Sequence, residues 1–143
     1  MKKIVLTGGP CAGKTTAKNY LFEKLSDIGY SVIFVPEVAT EIIGAGLNPR
    51  DLSKEQIFQF QDLILKTQLR FEDDVFLTAM NIKQSGEDKK IMICDRGCMD
   101  GSAYMAREDF DHLLTKNKLD RVMVRDKRYD AIFHLVTAAE GRE

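Results

Sequence analysis

Apolar positions along the chain change their spacing in a way that marks strands and helices in alternation. Ile4 to Leu6 is a continuous apolar run ended by Gly8-Gly9-Pro10, which suits a strand buried on both faces of a parallel sheet. From Lys14 the apolar residues Ala17, Tyr20, Leu21, Leu25 and Ile28 fall three or four apart and Gly29 follows, predicting a helix with a glycine stop. Ser31 to Val35 is rich in β-branched residues and is stopped by Pro36, predicting a second strand that presents Glu37 at its C-terminal end. Strand, helix, strand in this span is a βαβ unit, with a right-handed crossover.

Val38 to Ile43 reads as a short helix, followed by a loop from Gly44 to Pro49. Ser53-Lys54-Glu55-Gln56 is a capping-box pattern, and a long helix is expected from there to about Lys83. Its inner stripe would be Ile57, Ile64, Phe71 and Val75, widened by Phe58, Phe60, Leu65, Leu69 and Phe76. Ser85-Gly86-Glu87-Asp88 would end it. Lys90 to Cys94 is a third strand, carrying Asp95-Arg96-Gly97 at its end. Gly101 to Ala106 and Phe110 to Leu114 look helical, Leu119 to Arg128 is ambiguous, and Ala131 to Val136 is a fourth strand. A doubly wound domain normally continues into another helix and strand, so the expectation is one nucleotide-binding domain over residues 1–143, incomplete at its C-terminal end.

Composition narrows the class. With 143 residues, 44% hydrophobic and 30% charged, the chain fits a single soluble α/β domain whose core forms without staples. Twenty-one basic against 22 acidic side chains give a formal charge of -1, so no global pull toward nucleic acid or an anionic membrane is expected. The first apolar run is too short for a secretory segment, and no stretch approaches the ~18 to 20 apolar residues of a membrane span. Three cysteines cannot all pair, which favours a reducing, cytoplasmic setting.

The chemistry is concentrated at Gly8-Gly9-Pro10-Cys11-Ala12-Gly13-Lys14-Thr15. It matches G-x-x-x-x-G-K-[ST] and lies between a buried strand and a helix N-terminus, where a phosphate-binding loop must lie. Such a match is expected by chance about once in 200 chains of this composition. Gly8 and Gly13 allow a turn whose N–H groups point inward at an anion. Lys14 is expected along the β- and γ-phosphates of ATP or GTP, with the Thr15 hydroxyl as a ligand of Mg²⁺. Thr16 is either an α-phosphate donor or a helix-surface residue. Cys11, at a helix N-terminus, is a candidate reactive thiol.

A magnesium-bound triphosphate calls for a carboxylate near Thr15, and Asp95 is the candidate, delivered by the third strand; the alternative is a helix N-cap. Arg96 is expected to meet a phosphate of a second substrate, or to form a salt bridge on a solvated loop. Glu37 is expected to face the same cleft as a general base or acceptor-binding carboxylate, or to serve only as a helix N-terminal acid.

Asn117-Lys118-Leu119-Asp120 matches the guanine-reading N-K-x-D but follows a helix rather than a buried strand, so a polar helix end is the preferred reading. Cys94 and Cys98 lack zinc-ligand spacing. The basic stretch from Lys116 to Arg128 is read as a solvated face rather than a phosphate or headgroup patch, and His134 as a core residue of its strand.

Taken with Pro36-Glu37-Val38-Ala39-Thr40, with Asp100 and Tyr104, with Arg128-Tyr129-Asp130 and with Leu135-Val136-Thr137-Ala138-Ala139, these motifs resemble the P-loop domain of the TRPL translocation defect protein family. That family is in turn similar to nucleoside and nucleotide kinases, including the kinase domain of the bacterial nicotinamide-riboside enzyme. The resemblance implies a three-layer α/β fold with a parallel sheet in the order 2-3-1-4 and no strand between the first and third. It implies Glu37 as base, Asp95 as metal-side carboxylate and Arg96 as phosphate contact, and an arginine-rich lid and last strand beyond the fourth strand, expected to be missing from this chain. It also implies binding of GTP and acidic phospholipid. Two functions follow: a magnesium-dependent phosphotransferase acting on a small nucleoside-like acceptor, and a nucleotide-controlled binding module without kinase activity.

Overall fold

The computed structural model describes residues 1–9, 12–82 and 89–136. Four parallel strands, β1 (Lys2–Gly8), β2 (Ser31–Val35), β3 (Lys90–Asp95) and β4 (Ala131–Leu135), lie in the order β2-β3-β1-β4. β3 pairs directly with β1, Leu6 standing opposite Asp95, so nothing intervenes between the first and third strands. Val35 stands opposite Cys94, and Gly8 opposite Leu135. The carboxyl ends of the strands therefore open on one edge of the sheet, where ligands of open α/β folds bind.

Alternation along β1 and β3 divides the core into two layers. Ile4, Leu6 and Ile93 face α1 (Lys14–Asp27), meeting Ala17, Leu21 and Leu25. Val5, Met92 and Cys94 face the other way, toward Leu65 of α3 (Lys54–Asn81), three residues of α4 (Arg107–Lys116) and Val124 of the π-helical turn Met123–Lys127. A short α2 (Val38–Gly44) follows β2, and a 3-10 turn, Asp100–Tyr104, follows β3. The expected three-layer arrangement and strand order both hold.

Three expectations about packing need correction. Tyr20 of α1 is 59% exposed and Ile28, the C-cap that follows it, 63%, because α1 meets the sheet along the single row Ala17, Leu21 and Leu25. In α3 the capping box is formed, Gln56 N–H donating to Ser53 Oγ and Ser53 N–H to Gln56 Oε1. Its fully buried stripe, however, is Gln61, Asp62, Leu65, Gln68 and Glu72, while Phe71 is exposed. Four of those five are polar, so the turn-to-turn spacing of the helix is kept but its chemistry is not that of a hydrophobic seam. His134 is exposed rather than buried, because among the described residues β4 is the edge strand of the sheet, and Ile132 and Phe133 are exposed with it. Lys83 and the Ser85 to Asp88 terminator lie outside the described residues.

Buried Asp62 fixes α4 against α3. It accepts hydrogen bonds from Asn117 Nδ2 at 2.9 Å and Lys116 Nζ at 3.0 Å, and pairs with Lys66 at 2.7 Å. Asn117 also donates to the Leu113 carbonyl, so the N-K-x-D match is a helix end with a packing role. Burial pushes the Asp62 carboxyl up, but the bonds from Asn117, Lys66 and Lys116 outweigh burial and hold it at about 2. Because the folded value lies below the ordinary 3.8, the stabilisation is fully present above pH 4 and is lost as the pH falls toward 2. It is expected to be about 2 kcal/mol. Urea midpoints at pH 6 and pH 2.5 should converge for Asp62→Asn and the parent at the acid end; parallel acid slopes would remove Asp62 from that role.

Candidate functional site

The site begins where β1 gives way to α1. Gly8 has φ 154 and lies so close to β4 that a Cβ there would stand 2.6 Å from the Leu135 carbonyl oxygen, and Gly13 has φ 82 at the N-cap of α1. Among the described residues no side chain caps this helix, so the first-turn amides, including those of Lys14, Thr15 and Thr16, are the donors that an anion at a helix N-terminus would use. Gly9 and Ala12 flank the turn, the Ala12 N–H donating to the Gly9 carbonyl at 3.3 Å. Pro10 and Cys11 lie outside the described residues. Thr15 and Thr16 are exposed at the mouth of the loop.

Lys14 reaches back over the sheet edge, its Nζ 3.1 Å from Asp95 Oδ1 and 3.8 Å from Glu37 Oε2. Lys18, one helical turn on, stands 3.4 Å from Asp95 Oδ2. Arg96 Nε donates to Glu37 Oε1 at 2.9 Å, and its Nη1 lies 3.7 Å from Asp100 Oδ2. Asp100 in turn accepts from Thr7 Oγ1 at 2.7 Å; burial pushes its carboxyl up, opposed by the Thr7 bond and Arg96. All four residues singled out beside the loop, Lys14, Glu37, Asp95 and Arg96, thus join one chain of ion pairs.

The simpler readings of these residues meet different fates. Glu37 occupies the N-cap of α2 but makes no capping bond through its side chain. Asp95 closes β3 with both oxygens on lysines rather than on a helix terminus. Arg96 does form salt bridges, yet it is only 22% exposed and turns toward the cleft rather than toward solvent.

Beyond Glu37 and Arg96 opens a cavity of about 340 Å³, walled by Phe60, Ile64, Leu65, Phe110 and Tyr104. Gln61 and Asp100 are among its polar lining residues. Gln61 is 7% exposed. Arg96 and Asp100 also line a second opening of about 410 Å³ that runs to Gly8 and Gly9. They therefore stand between the phosphate loop and the apolar cavity.

The remaining candidates have structural partners. Burial pushes the Cys98 thiol up to about 12 and raises that of Cys94 further, leaving neither a thiolate for metal. Among the described residues there is no cluster of three or more side chains suited to hold a metal ion. Within the basic stretch, Lys116 pairs with Asp62, Arg121 with Asp111, Arg125 with Asp126 and Arg128 with Glu72 and Asp73. Among the described residues no helix is long and apolar enough to cross a membrane.

The hydrophobic pattern passes over Gln61, Gln68, Glu72 and Tyr129, all of which back or line the site. The signal for three of them is positional: residues 61, 65, 68 and 72 share one face of α3, and only Leu65 among them is apolar.

Comparison with solved structures finds thymidylate kinase from Ehrlichia chaffeensis similar in fold, with a TM-score of 0.64 at 21% identity. The match covers 98% of this chain and 78% of that one. Comparison with curated proteins gives no match. A family model described as an AAA domain matches residues 3–143. That match and the glycine-rich turn between β1 and α1 carry the same conclusion: the chain belongs to the AAA domain family of P-loop proteins.

Proposed function

We propose that the chain binds ATP or GTP with Mg²⁺ at Gly8 to Thr16 and transfers the terminal phosphoryl group to a hydroxyl of a small nucleoside-like acceptor. One observation carries this reading: Lys14, Asp95, Glu37 and Arg96 form a continuous ion-pair chain from the phosphate loop to the mouth of the apolar cavity. A hydrolase needs no such cavity beside its phosphates. A phosphotransferase needs one to hold the acceptor and exclude water.

The amides of the loop and Lys14 bind the phosphates, several weak contacts acting together because a helix terminus alone contributes only ~0.3 to 2 kcal/mol. Lys14 rests on the Asp95 and Glu37 carboxylates, and a triphosphate would replace them as its partner. The donors available to magnesium, the Thr15 hydroxyl and the Asp95 carboxylate, are hard oxygens and suit an ion that takes its other ligands from phosphate and water. When bound, the ion neutralises charge on the β- and γ-phosphates.

Glu37 accepts the proton of the acceptor hydroxyl as the acceptor oxygen bonds to the γ-phosphorus; the bond from that phosphorus to the bridging oxygen breaks and the nucleoside diphosphate leaves. Arg96, between the two compartments, meets the transferring or accepted phosphate as a planar donor. The cavity's aromatic and aliphatic walls favour a flat, largely apolar ring, and Gln61 supplies an amide to its polar edge.

The test is nucleotide turnover by the protein with ATP and with GTP, in the presence and absence of a panel of nucleosides. The expected result is diphosphate release that rises with one class of nucleoside and yields its monophosphate in equal amount. Turnover indifferent to every nucleoside, with no phosphorylated acceptor, would overturn the proposal.

A further inference from the structure

The backbone of the loop that carries Arg96 is held from behind by a buried polar cluster whose Gln68 also lines the apolar cavity and whose Tyr129 also lines the second opening. Arg96 has φ 70, a left-handed conformation that a side chain of its kind adopts only when its surroundings impose it. Its N–H donates to the Leu6 carbonyl at 2.8 Å, continuing the β1 pairing. Its carbonyl accepts from Gln68 Nε2 at 2.8 Å, and two residues later the Cys98 N–H donates to the Tyr129 hydroxyl at 3.0 Å.

Both partners converge on one carboxylate. Gln68 Nε2 also donates to Glu72 Oε2 at 2.9 Å, and the Tyr129 hydroxyl donates to Glu72 at 3.0 Å. Glu72 is 0% exposed, and Arg128 Nε, at 3.1 Å, neutralises it. A carboxylate this deep is costly unless its bonds are made, and here the bonds it accepts from Gln68 and Tyr129 order the two groups that grip the Arg96 loop. No polar side-chain atom buried among the described residues lacks a partner.

We propose that Gln68 and Tyr129, both anchored on buried Glu72, are positioning residues that fix the backbone of Arg96 and thereby aim its guanidinium at Glu37 and Asp100. The value of that aim for turnover rests on the phosphotransferase reading, but the geometric claim is tested on nucleotide-free protein and is decided whether or not phosphate is transferred.

The experiment follows solvent exchange of the Arg96 Nε–H, which donates to Glu37, in the ¹⁵N spectrum of the full chain; the signal is identified by its loss in Arg96→Lys. Gln68→Met nearly keeps the side-chain volume but removes the donor to the Arg96 carbonyl. Tyr129→Phe removes a single oxygen and keeps the ring that packs under Lys3 and Arg128. Each is expected to speed exchange at Arg96 at least about tenfold, the equivalent of one hydrogen bond. The Nε–H of Arg121, which pairs with Asp111 away from the site, should keep its rate. Unchanged exchange at Arg96 in both variants, or equal acceleration at Arg121, would reduce the cluster to a stabilising role and overturn the proposal.

Discussion

Replacing Lys14 with Ala is expected to weaken ATP or GTP binding by roughly 10- to 150-fold, the ~1.5 to 3 kcal/mol of a charge-assisted hydrogen bond, without unfolding the protein. The ion-pair geometry explains why the two effects separate. Asp95 keeps Lys18 at 3.4 Å and Glu37 keeps Arg96 at 2.9 Å when the Lys14 ammonium is removed, so neither carboxylate is stranded without a cation. The helix also retains its uncapped amides, which accounts for residual affinity rather than its abolition. Titration calorimetry with each nucleotide and a thermal melt of the same samples check both halves. Equal affinity in the variant would show that the glycine-rich turn is not the nucleotide site.

The parts of the molecule legible in the sequence are those in which one local rule dominates. A three-residue apolar run before a glycine-rich turn has few other solutions than a buried strand feeding a helix, and β1 and α1 fall where that rule puts them. The common placement of Glu37, Asp95 and Arg96 was legible for a related reason: Asp95 is the last residue of β3, Arg96 follows it, Glu37 lies two residues past β2, and parallel strands deliver their ends to one edge. Burial across the sheet was less accessible. His134 and Phe133 sit in a strand pattern that reads as core, yet whether such a strand is covered depends on its position in the sheet order, and β4 is the edge strand among the described residues.

The buried face of α3 was the least legible of all. Gln68 and Glu72 are ordinary surface residues by type, and only the tertiary arrival of Tyr129 and Arg128, more than 50 positions later, makes their burial tolerable. A pattern search tuned to apolar residues instead selects Phe71, which the fold leaves exposed. Periodicity locates the helix, but the chemistry of its inner face depends on partners that have no local signature.

Replacing Glu37 with Gln is expected to produce the larger catalytic effect, a loss of ~10² to 10⁴-fold in phosphoryl transfer with little change in nucleotide affinity. Gln keeps the length of the side chain and an oxygen able to accept from Arg96 Nε, so the 2.9 Å contact with Arg96 has a replacement. What disappears is the capacity to take a proton from the acceptor hydroxyl. Lys14 stands farther from Glu37, at 3.8 Å, than from Asp95, at 3.1 Å, so its hold on the phosphates depends less on the substituted residue. Binding and turnover should therefore part company in this variant and fall together in the Lys14 variant. A nucleotide-controlled binding module would behave differently, keeping both nucleotide affinity and partner response when Glu37 loses its charge. Initial rates with a productive acceptor, set beside calorimetric affinities for the same preparation, distinguish the two. Undiminished acceptor phosphorylation in Glu37→Gln would exclude this carboxylate as the base and leave it only its pairing with Arg96.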